Sequence, residues 1–286
     1  MTAGGSPVAY QRRLRSELRR AREAAGVTQK AVAEGLDWSP SKVIRIETGA
    51  VGISTTDLKA LLAFYEVKDE AVVELVEIAK ASRKQVWWDK HRPHFRPAFF
   101  FLIGLESSAS VTRQFQSLLV PGLLQIEEYA REIIGLYDRD NPDIIERAVR
   151  VRMERQERFF ENGARIFYVL DEAVLRRAVG GKEVMRKQLL KLKEMNRLPQ
   201  VRIQVVGFDK GAHVGMKGSF IVYEFDEEGQ DHAIYLESSS GDTLIIQNNP
   251  EENSKYVELF VELETLASAE GELDEIIDRV IAESFS

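Results

Sequence analysis

A chain of 286 residues is longer than a typical single domain, which predicts two domains, one small and one larger. With 44% hydrophobic and 30% charged residues, the chain has enough apolar material for folded cores, which excludes a protein dominated by disorder. The sequence contains no cysteine, which excludes disulfides, thiolate nucleophiles and cysteine-bound zinc and favours a reducing compartment.

The charge of the chain is unevenly distributed. Residues 1–62 contain ten Lys and Arg against six Asp and Glu, a net charge of +4, so the remaining residues carry −11 within the total of −7. A basic segment ahead of an acidic one places any contact with nucleic acid in the first part of the chain.

No segment of the sequence predicts a membrane anchor. Residues 1–8 lack a basic stretch followed by an apolar core, so we expect no signal peptide. The longest apolar run, residues 98–103, is far shorter than the roughly 20 residues that span a bilayer. We therefore expect a cytoplasmic protein.

Five short helices are predicted in the first domain. Apolar residues at spacings of four, three and four favour a first helix, Thr28 is suited to cap the second, and Ser39 is suited to cap the third, with Pro40 at its first position. Gly26 and Gly49 end the first and third helices. The predicted helices cover residues 10–25, 29–35, 40–48, 56–65 and 69–84.

The segment that follows is polar and basic, with two prolines around the pair Trp87-Trp88, and it is predicted to join two domains. We expect the tryptophan pair to anchor this junction against one of them. The predicted boundaries are residues 1–84 for the first domain, 85–100 for the linker and 101–286 for the second domain.

The second domain is predicted to mix helices and strands. The segment 111–116 is predicted to be extended, and residues 122–134 and 142–160 to be helical, with the ion pairs Glu146–Arg150 and Glu154–Arg158 on the longer helix. Short β-branched and aromatic runs then predict strands at 166–170, 201–206, 219–225, 232–237 and 243–246. Further helices are predicted at 183–196, 253–269 and 273–283. The fold class is a mainly α domain of five helices followed by an α+β domain with a small mixed or antiparallel sheet.

The third helix of the first domain has two different faces. Val43 and Ile46 must face the core, so a rotation of about 100° per residue fixes the outward side chains. The outward face carries Ser41 and Arg45, flanked by Lys42 and Ile44. Hydroxyl, cationic and apolar groups of this kind contact base edges and thymine methyls in the major groove, so we expect Ser41, Lys42 and Arg45 to contact bases of double-stranded DNA.

The first helix carries a stripe of arginines at spacings of three, four and three, namely Arg12, Arg15, Arg19 and Arg22. A basic stripe suits the phosphates of DNA, and we assign this role to Arg15 and Arg19. The alternative interpretation is a solvated arginine face with no ligand.

The spacing from Thr28 to Gly49 resembles the motif of xenobiotic-response-element (XRE, phage-repressor-like) helix-turn-helix regulators. The resemblance is carried by Thr28-Gln29, Ala33, Leu36 and the run Ser39-Pro-Ser-Lys-Val-Ile-Arg-Ile-Glu47. It implies phosphate contacts from Gln29 and Ser39, and base contacts near Ser41 and Arg45. It also implies a structural ion pair between Arg22 and Glu47. Pro40 departs from relatives that place a bidentate side chain there, so we leave it out of the base contacts.

The junction and the second domain carry a further set of motifs: Trp87-Trp88, Ile103-Gly-Leu-Glu106, Leu119-Val-Pro-Gly-Leu-Leu-Gln125, Glu128-Tyr129-Ala130, Arg152, Arg155-Gln156, Asp171-Glu172 and Leu175. Together these motifs resemble the carboxy-terminal domain, of unknown function, in a large family of actinobacterial regulators. The resemblance implies a role in morphological development or secondary metabolism, and a small partner protein encoded alongside in an antitoxin-like arrangement.

No pattern in the sequence favours an enzyme, a metal site or a cofactor. Asp89, His91 and His94 could suggest a metal cluster, but Pro93 interrupts their spacing and no further ligand is evident. The pair Asp171-Glu172 could serve as acid and base, although adjacent residues point in different directions and capping the next helix is favoured. Turns are favoured for two other polar segments, 180–182 and 238–241.

The run of large apolar residues at 99–103 has three interpretations: part of the core, a dimer interface or the wall of an effector pocket. Because helix-turn-helix proteins bind paired half-sites, we expect a homodimer held mainly by the second domain. The leading hypothesis is a dimeric transcription regulator whose second domain senses a small-molecule effector or a partner protein. The alternative is an antitoxin-like interaction module that binds a small partner protein and autoregulates its operon.

Overall fold

The computed structural model describes residues 7–49, 51–136, 141–161, 163–225, 232–237, 243–247 and 249–285. The chain divides into two compact units, Met1–Ser108 and Ala109–Ser286. Within the described residues, no helix is both long and apolar enough to cross a membrane.

In the amino-terminal unit, the regular elements among the described residues are all helices. Its helices are α1 (Pro7–Ala24), α2 (Gln29–Gly35), α3 (Pro40–Thr48), α4 (Thr55–Phe64), α5 (Asp69–Ala81) and α6 (Pro97–Ser108), and a 3-10 helix covers Asp89–His94. The predicted second and third helices have the observed bounds. The fifth helix ends at Ala81, three residues earlier than predicted, and the segment predicted as a linker contains the 3-10 helix and the start of α6.

Local hydrogen bonds explain why the second and third helices begin and end where they do. The Thr28 hydroxyl accepts from the backbone amide of Ala31 at 3.2 Å, and Ser39 Oγ accepts from the amide of Lys42 at 3.3 Å. Gly49 ends α3 with a positive φ of 74°, a conformation that glycine adopts without strain. The apolar faces of α1 to α5 then form one core around residues that include Leu18, Val32, Val43, Ile46, Leu58 and Leu62.

The apolar run at 99–103 lies in α6, a helix that the sequence did not predict. Phe100 and Ile103 are buried and form a small cluster with Trp88, while Phe101 remains 43% exposed. The tryptophan pair therefore packs against α6, and for Phe100 and Ile103 the structure favours the core interpretation.

The carboxy-terminal unit is built on one sheet. The described strands are β1 (Val111–Gln116), β2 (Arg165–Asp171), β3 (Val201–Val206), β4 (Phe220–Glu224), β5 (His232–Glu237) and β6 (Thr243–Gln247), in the order β3-β2-β1-β4-β5-β6. The pairs β1–β2 and β2–β3 are parallel and the other pairs are antiparallel. Val111 of β1 lies opposite Arg165 of β2 and Glu224 of β4. The sheet is therefore mixed, which confirms the predicted α+β class.

Helices of this unit pack on both faces of the sheet. They are α7 (Glu127–Gly135), α8 (Pro142–Glu161), α9 (Glu172–Arg176), α10 (Gly181–Met195), α11 (Pro250–Leu266) and α12 (Leu273–Ser284), with short 3-10 helices at Gly122–Leu124, Phe208–Lys210 and Val214–Lys217. Alternate residues of β2 enter different cores, because successive side chains of a strand point to opposite faces. Tyr168 belongs to the core that includes α10 and α12, whereas Val169 packs in the core that includes α11.

Two predictions for this unit are wrong. The helix predicted over residues 122–134 is interrupted, because the buried side chain of Gln188 from α10 bonds the backbone at the break. Its Oε1 accepts from the amide of Ile126 and its Nε2 donates to the carbonyl of Leu124, both at 2.8 Å. On α8, Glu146 pairs with Arg131 of α7 and Arg158 with Glu161, rather than as predicted.

Candidate nucleic-acid interface

The third helix presents the outward face that its sequence predicts. Val43 and Ile46 are buried at 1% and 4% exposure, whereas Ser41, Ile44 and Arg45 on the other side are exposed. The two faces differ because the apolar pair, three residues apart, is fixed in the core by α1, α2 and α4. The exposed face offers a hydroxyl, a guanidinium and an isoleucine side chain to a ligand.

The two cations of this helix have different surroundings. The ammonium of Lys42 is 3.0 Å from Asp57 Oδ1 and 3.7 Å from the centre of the Trp38 ring. Within the described residues, the Arg45 guanidinium has neither an ion pair nor a hydrogen bond. Arg45 is therefore available to an incoming acceptor without breaking an internal contact, whereas Lys42 would first have to leave Asp57.

Ser39, Ser41 and Gln29 lie near the amino ends of α2 and α3. Ser39 Oγ is 3.1 Å from Ser41 Oγ in addition to capping α3, and both residues are exposed. Gln29 Nε2 donates to Glu47 Oε2 at 2.8 Å, which orients the amide while its second hydrogen can still be donated. Amide and hydroxyl donors at helix amino ends can bind phosphate oxygens.

The arginines of the α1 stripe make different contacts. Arg15 Nη1 donates to the carbonyl of Thr48 at 3.0 Å, at the carboxyl end of α3. Arg19 is exposed and pairs with Glu23 at 2.9 Å, and this hydrogen bond lowers the pKa of the Glu23 carboxyl. Such a surface pair is weak, so Arg19 can exchange Glu23 for a phosphate. Arg22 points instead toward the interior.

A buried polar network joins the first three helices. Arg22 Nε donates to Glu47 Oε1 at 2.8 Å and its Nη1 donates to the carbonyl of Val27 at 3.1 Å. The hydrogen bond with Glu47 raises the pKa of Arg22. The side chains of Arg22 and Glu47 are 13% and 5% exposed. With Gln29 on the other oxygen, Glu47 links α1, α2 and α3 at once, which fixes the orientation of α3.

Tyr65, at the end of α4, borders this network. Its hydroxyl is buried and has no hydrogen-bond partner among the described residues. Burial, followed by the negative charge of Glu47, raises the pKa of Tyr65 to about 12. Because the folded state keeps the phenol neutral where the unfolded state ionises, this group makes stability depend on pH in the alkaline range.

Replacing Tyr65 by phenylalanine is expected to flatten the alkaline loss of stability. Below pH 10 both states hold the proton, but between about pH 10 and pH 12 only the unfolded state ionises, so the free energy of unfolding of the wild type falls as the pH rises. Up to roughly 2 kcal/mol of this fall should disappear in Tyr65→Phe. Urea unfolding at several pH values, followed by tryptophan fluorescence, measures the difference in slope.

Tyr10→Phe is the matched control, because Tyr10 is a partly exposed tyrosine of the same unit. Its alkaline slope is the reference for the loss of one tyrosine from this unit. Parallel curves for the wild type and Tyr65→Phe above pH 10 would show that the folded state does not suppress the ionisation of Tyr65.

Other polar groups considered from the sequence have structural partners. Asp89 Oδ1 accepts from Arg92 at 2.7 Å in the 3-10 helix that also contains His91 and His94. Asp171 caps α9, as predicted, by accepting from the amide of Ala173 at 2.8 Å. Of the segment 180–182, predicted to be a turn, Gly180 lies at the N-cap of α10 with a φ of 69°, whereas residues 181 and 182 already belong to that helix. The turn predicted at residues 238–241 lies outside the described residues.

Sequence reasoning missed three contacts that shape these sites. The first is the contact of the Lys42 ammonium with Asp57 and the Trp38 ring, and the second is the hydrogen bond from Arg15 to the carbonyl of Thr48. The third is a pair in the second unit, His213 Nε2 and Asp171 Oδ2 at 3.1 Å. Each joins residues far apart along the chain or in different elements. Helical periodicity, which reports only one element at a time, could not have found them.

Comparisons with known proteins cover both units. A family model described as a helix-turn-helix domain matches residues 13–75. A second model, described as a domain of unknown function (DUF5753), matches residues 101–279, more than half of the chain. Comparisons with curated proteins and with solved structures gave no match. The chain belongs to the DUF5753 family, and a helix-turn-helix domain precedes its DUF5753 domain.

Proposed function

We propose that this protein is a sequence-specific DNA-binding regulator of transcription, of the XRE type, in which α3 enters the major groove. The observation that carries the proposal is the exposed face of α3 in a domain that matches the helix-turn-helix model. Residues at the start and middle of such a helix reach base edges when the helix lies in the groove. The XRE assignment rests on the sequence pattern from Thr28 to Gly49.

In this proposal the base contacts come from Ser41 and Arg45, with Lys42 recruited only if it leaves Asp57. Arginine donates two hydrogen bonds to guanine O6 and N7, the commonest specific contact in the major groove. Phosphate contacts come from Gln29, Ser39, Arg15 and Arg19. These contacts fix the position of the protein on the duplex without reading its sequence.

We further propose a homodimer held mainly by the carboxy-terminal unit. A single short recognition helix makes few base contacts, so paired half-sites are the usual solution. In this unit three large apolar side chains are more than half exposed: Leu118, Phe208 and Met216. Leu118 follows β1, Phe208 follows β3 and Met216 precedes β4. All three residues lie at the same end of the strands, because β1 and β3 are parallel to β2 and β4 is antiparallel to β1. Exposed apolar side chains at one end of the sheet strands suit a contact between subunits.

The proposal contains no catalytic step and no cofactor. The Asp171 carboxylate accepts a hydrogen bond from the amide of Ala173 and lies 3.1 Å from His213 Nε2, and the Glu172 carboxylate accepts a hydrogen bond from Arg176. The second unit is proposed to sense an effector or partner and to pass that state to the DNA-binding unit, in a cytoplasmic protein.

Selection of duplexes from a random library with the full-length protein tests the proposal. We expect enrichment of an inverted repeat whose half-sites are separated by about 10 base pairs or a multiple. The selected duplex should bind at least about 10³-fold more tightly than a scrambled one at the same salt concentration. Enrichment of no sequence would overturn the proposed function, and an enriched single half-site bound by one chain would overturn the dimer.

Purification from the native host without a tag separates the leading proposal from the antitoxin-like alternative. A lone dimer that binds the selected duplex supports the regulator. A small protein present in equal molar amount, whose removal is needed for DNA binding, supports the alternative.

A further inference from the structure

A cavity of about 460 Å³ lies within the amino-terminal unit. Residues of α1, of the segment that follows α3 and of the segment that follows α5 surround it. Its volume lies within the range of about 300–1,000 Å³ that is typical of sites for small molecules. The exposed DNA-facing surface of α3 does not explain this cavity, because the cavity lies beside the buried Ile46.

The walls of the cavity combine two kinds of surface. Leu14, Ile46, Ile53 and Trp88 are buried residues of the unit that also line the cavity, so they offer a fixed apolar wall. A ligand with an apolar body can therefore displace water from this wall without any rearrangement of the core.

The polar part of the lining is cationic. Four cations line the cavity, namely Arg15, Arg83, Lys84 and Arg92, against one carboxylate, Asp89, which pairs with Arg92 at 2.7 Å. The guanidinium of Arg83 donates to neutral acceptors, the carbonyl of Ile53 at 2.7 Å and Thr55 Oγ1 at 3.2 Å. The lining thus carries an excess of positive charge, which favours an anionic headgroup.

We propose that this cavity binds a small amphipathic organic acid, with its apolar body against the buried wall and its anionic group among Arg15, Arg83 and Lys84. A neutral ligand of the same shape gains only the apolar contacts. A highly charged ligand without an apolar body gains only the weak, screened attraction of partly exposed cations. The combination of both surfaces selects the amphipathic acid.

The cavity is connected to the recognition helix through Arg15. This side chain lines the cavity, donates to the carbonyl of Thr48 at 3.0 Å and packs against Gly49, where an added Cβ would collide with Arg15 Nη1. An anion in the cavity competes with the Thr48 carbonyl for the guanidinium, because a charged acceptor binds it more strongly than a neutral one. Binding of the acid therefore withdraws Arg15 from the end of α3 and lowers the affinity for DNA; this step rests on the proposed function, whereas ligand binding does not.

Two probes test the ligand chemistry. The first is 8-anilinonaphthalene-1-sulfonate, which has an aromatic body and a sulfonate, and the second is N-phenyl-1-naphthylamine, which has a similar body without the charge. The full-length protein is expected to bind the sulfonate saturably and at least several-fold more tightly than the neutral amine. Titration by probe fluorescence measures both, and equal affinities would overturn the anionic headgroup.

Three variants locate the probes. Gly52 lines the cavity without a positive φ, and a Cβ there meets no atom within 4 Å, so Gly52→Trp is expected to fold and to weaken both probes by more than about tenfold. Lys84→Glu should weaken the sulfonate by roughly three- to tenfold and leave the amine within about twofold. Lys68→Glu, an exposed lysine outside the lining, is the matched charge control and should change neither.

Sulfonate binding that neither Gly52→Trp nor Lys84→Glu alters, in variants with wild-type urea midpoints, would overturn the site. The regulatory step is tested by titrating the selected duplex with and without saturating sulfonate, where we expect an affinity at least about fivefold lower with the probe. If the sulfonate does not change the DNA affinity of the wild type, the coupling between the cavity and DNA binding is overturned, whereas the proposed ligand site is not. Localised probe binding by a protein that enriches no DNA sequence would instead overturn the proposed function alone.

Discussion

Replacing Glu47 by alanine is expected to lower the free energy of unfolding of the amino-terminal unit by about 3–5 kcal/mol. The loss is large because Glu47 accepts hydrogen bonds from both Arg22 and Gln29. The substitution leaves the Arg22 side chain, which is 13% exposed, with only the longer contact to the exposed carboxylate of Glu23 at 3.5 Å. A change of this size approaches the whole stability of a small unit, so the variant should populate the unfolded form of this unit under ordinary conditions.

The measurement is urea unfolding of the full chain followed by tryptophan fluorescence. All three tryptophans, Trp38, Trp87 and Trp88, lie in the amino-terminal unit, so their emission reports that unit directly. Glu34→Ala is the matched control, since Glu34 forms an exposed pair with Lys30 at 3.9 Å and its loss should change the midpoint little. Equal midpoints for the two alanine variants would show that the Glu47 network does not hold the helices together.

The sequence predicts the outward face of α3 well because the rules that decide it are local. A capping serine, a proline at the first position and an αL glycine set the bounds of α3, and two apolar residues three apart set its rotation. The prediction of the ion pair between Arg22 and Glu47 rests on the family resemblance, because helical periodicity can pair residues only within one helix. The engagement of Lys42 by Asp57 was not predictable, because Asp57 lies on α4 and its direction depends on tertiary packing.

In the second unit the strands could be predicted and their surroundings could not. β3 and β5 have the predicted bounds because their β-branched and aromatic runs are short and sharply ended. The interruption between residues 124 and 127 depends on Gln188, more than sixty residues away, whose amide replaces two helical hydrogen bonds. The helix α6 was missed because a helix that is apolar all round has no periodic signal.

Replacing Arg45 by alanine is expected to reduce affinity for the selected duplex by about 1–3 kcal/mol, or roughly five- to 150-fold, while affinity for a scrambled duplex changes little. The reason is geometric: the Arg45 guanidinium lies on the exposed face of α3 and makes no ion pair within the described residues, so it can form a bidentate contact with a guanine. Fluorescence anisotropy titrations of both duplexes at one salt concentration give the two affinities.

Arg19→Gln provides the contrasting control, because Arg19 is exposed on α1 and holds only the surface carboxylate of Glu23. As a phosphate contact it should weaken binding to both duplexes by a similar factor, and the slope of log affinity against log salt should fall by about 0.9. Arg45→Ala should reduce that slope less, while lowering the preference for the selected sequence by the same factor, roughly five- to 150-fold. If Arg45→Ala weakened both duplexes equally, its guanidinium would be neutralising phosphate, and the reading of sequence would have to come from Ser41 and a released Lys42.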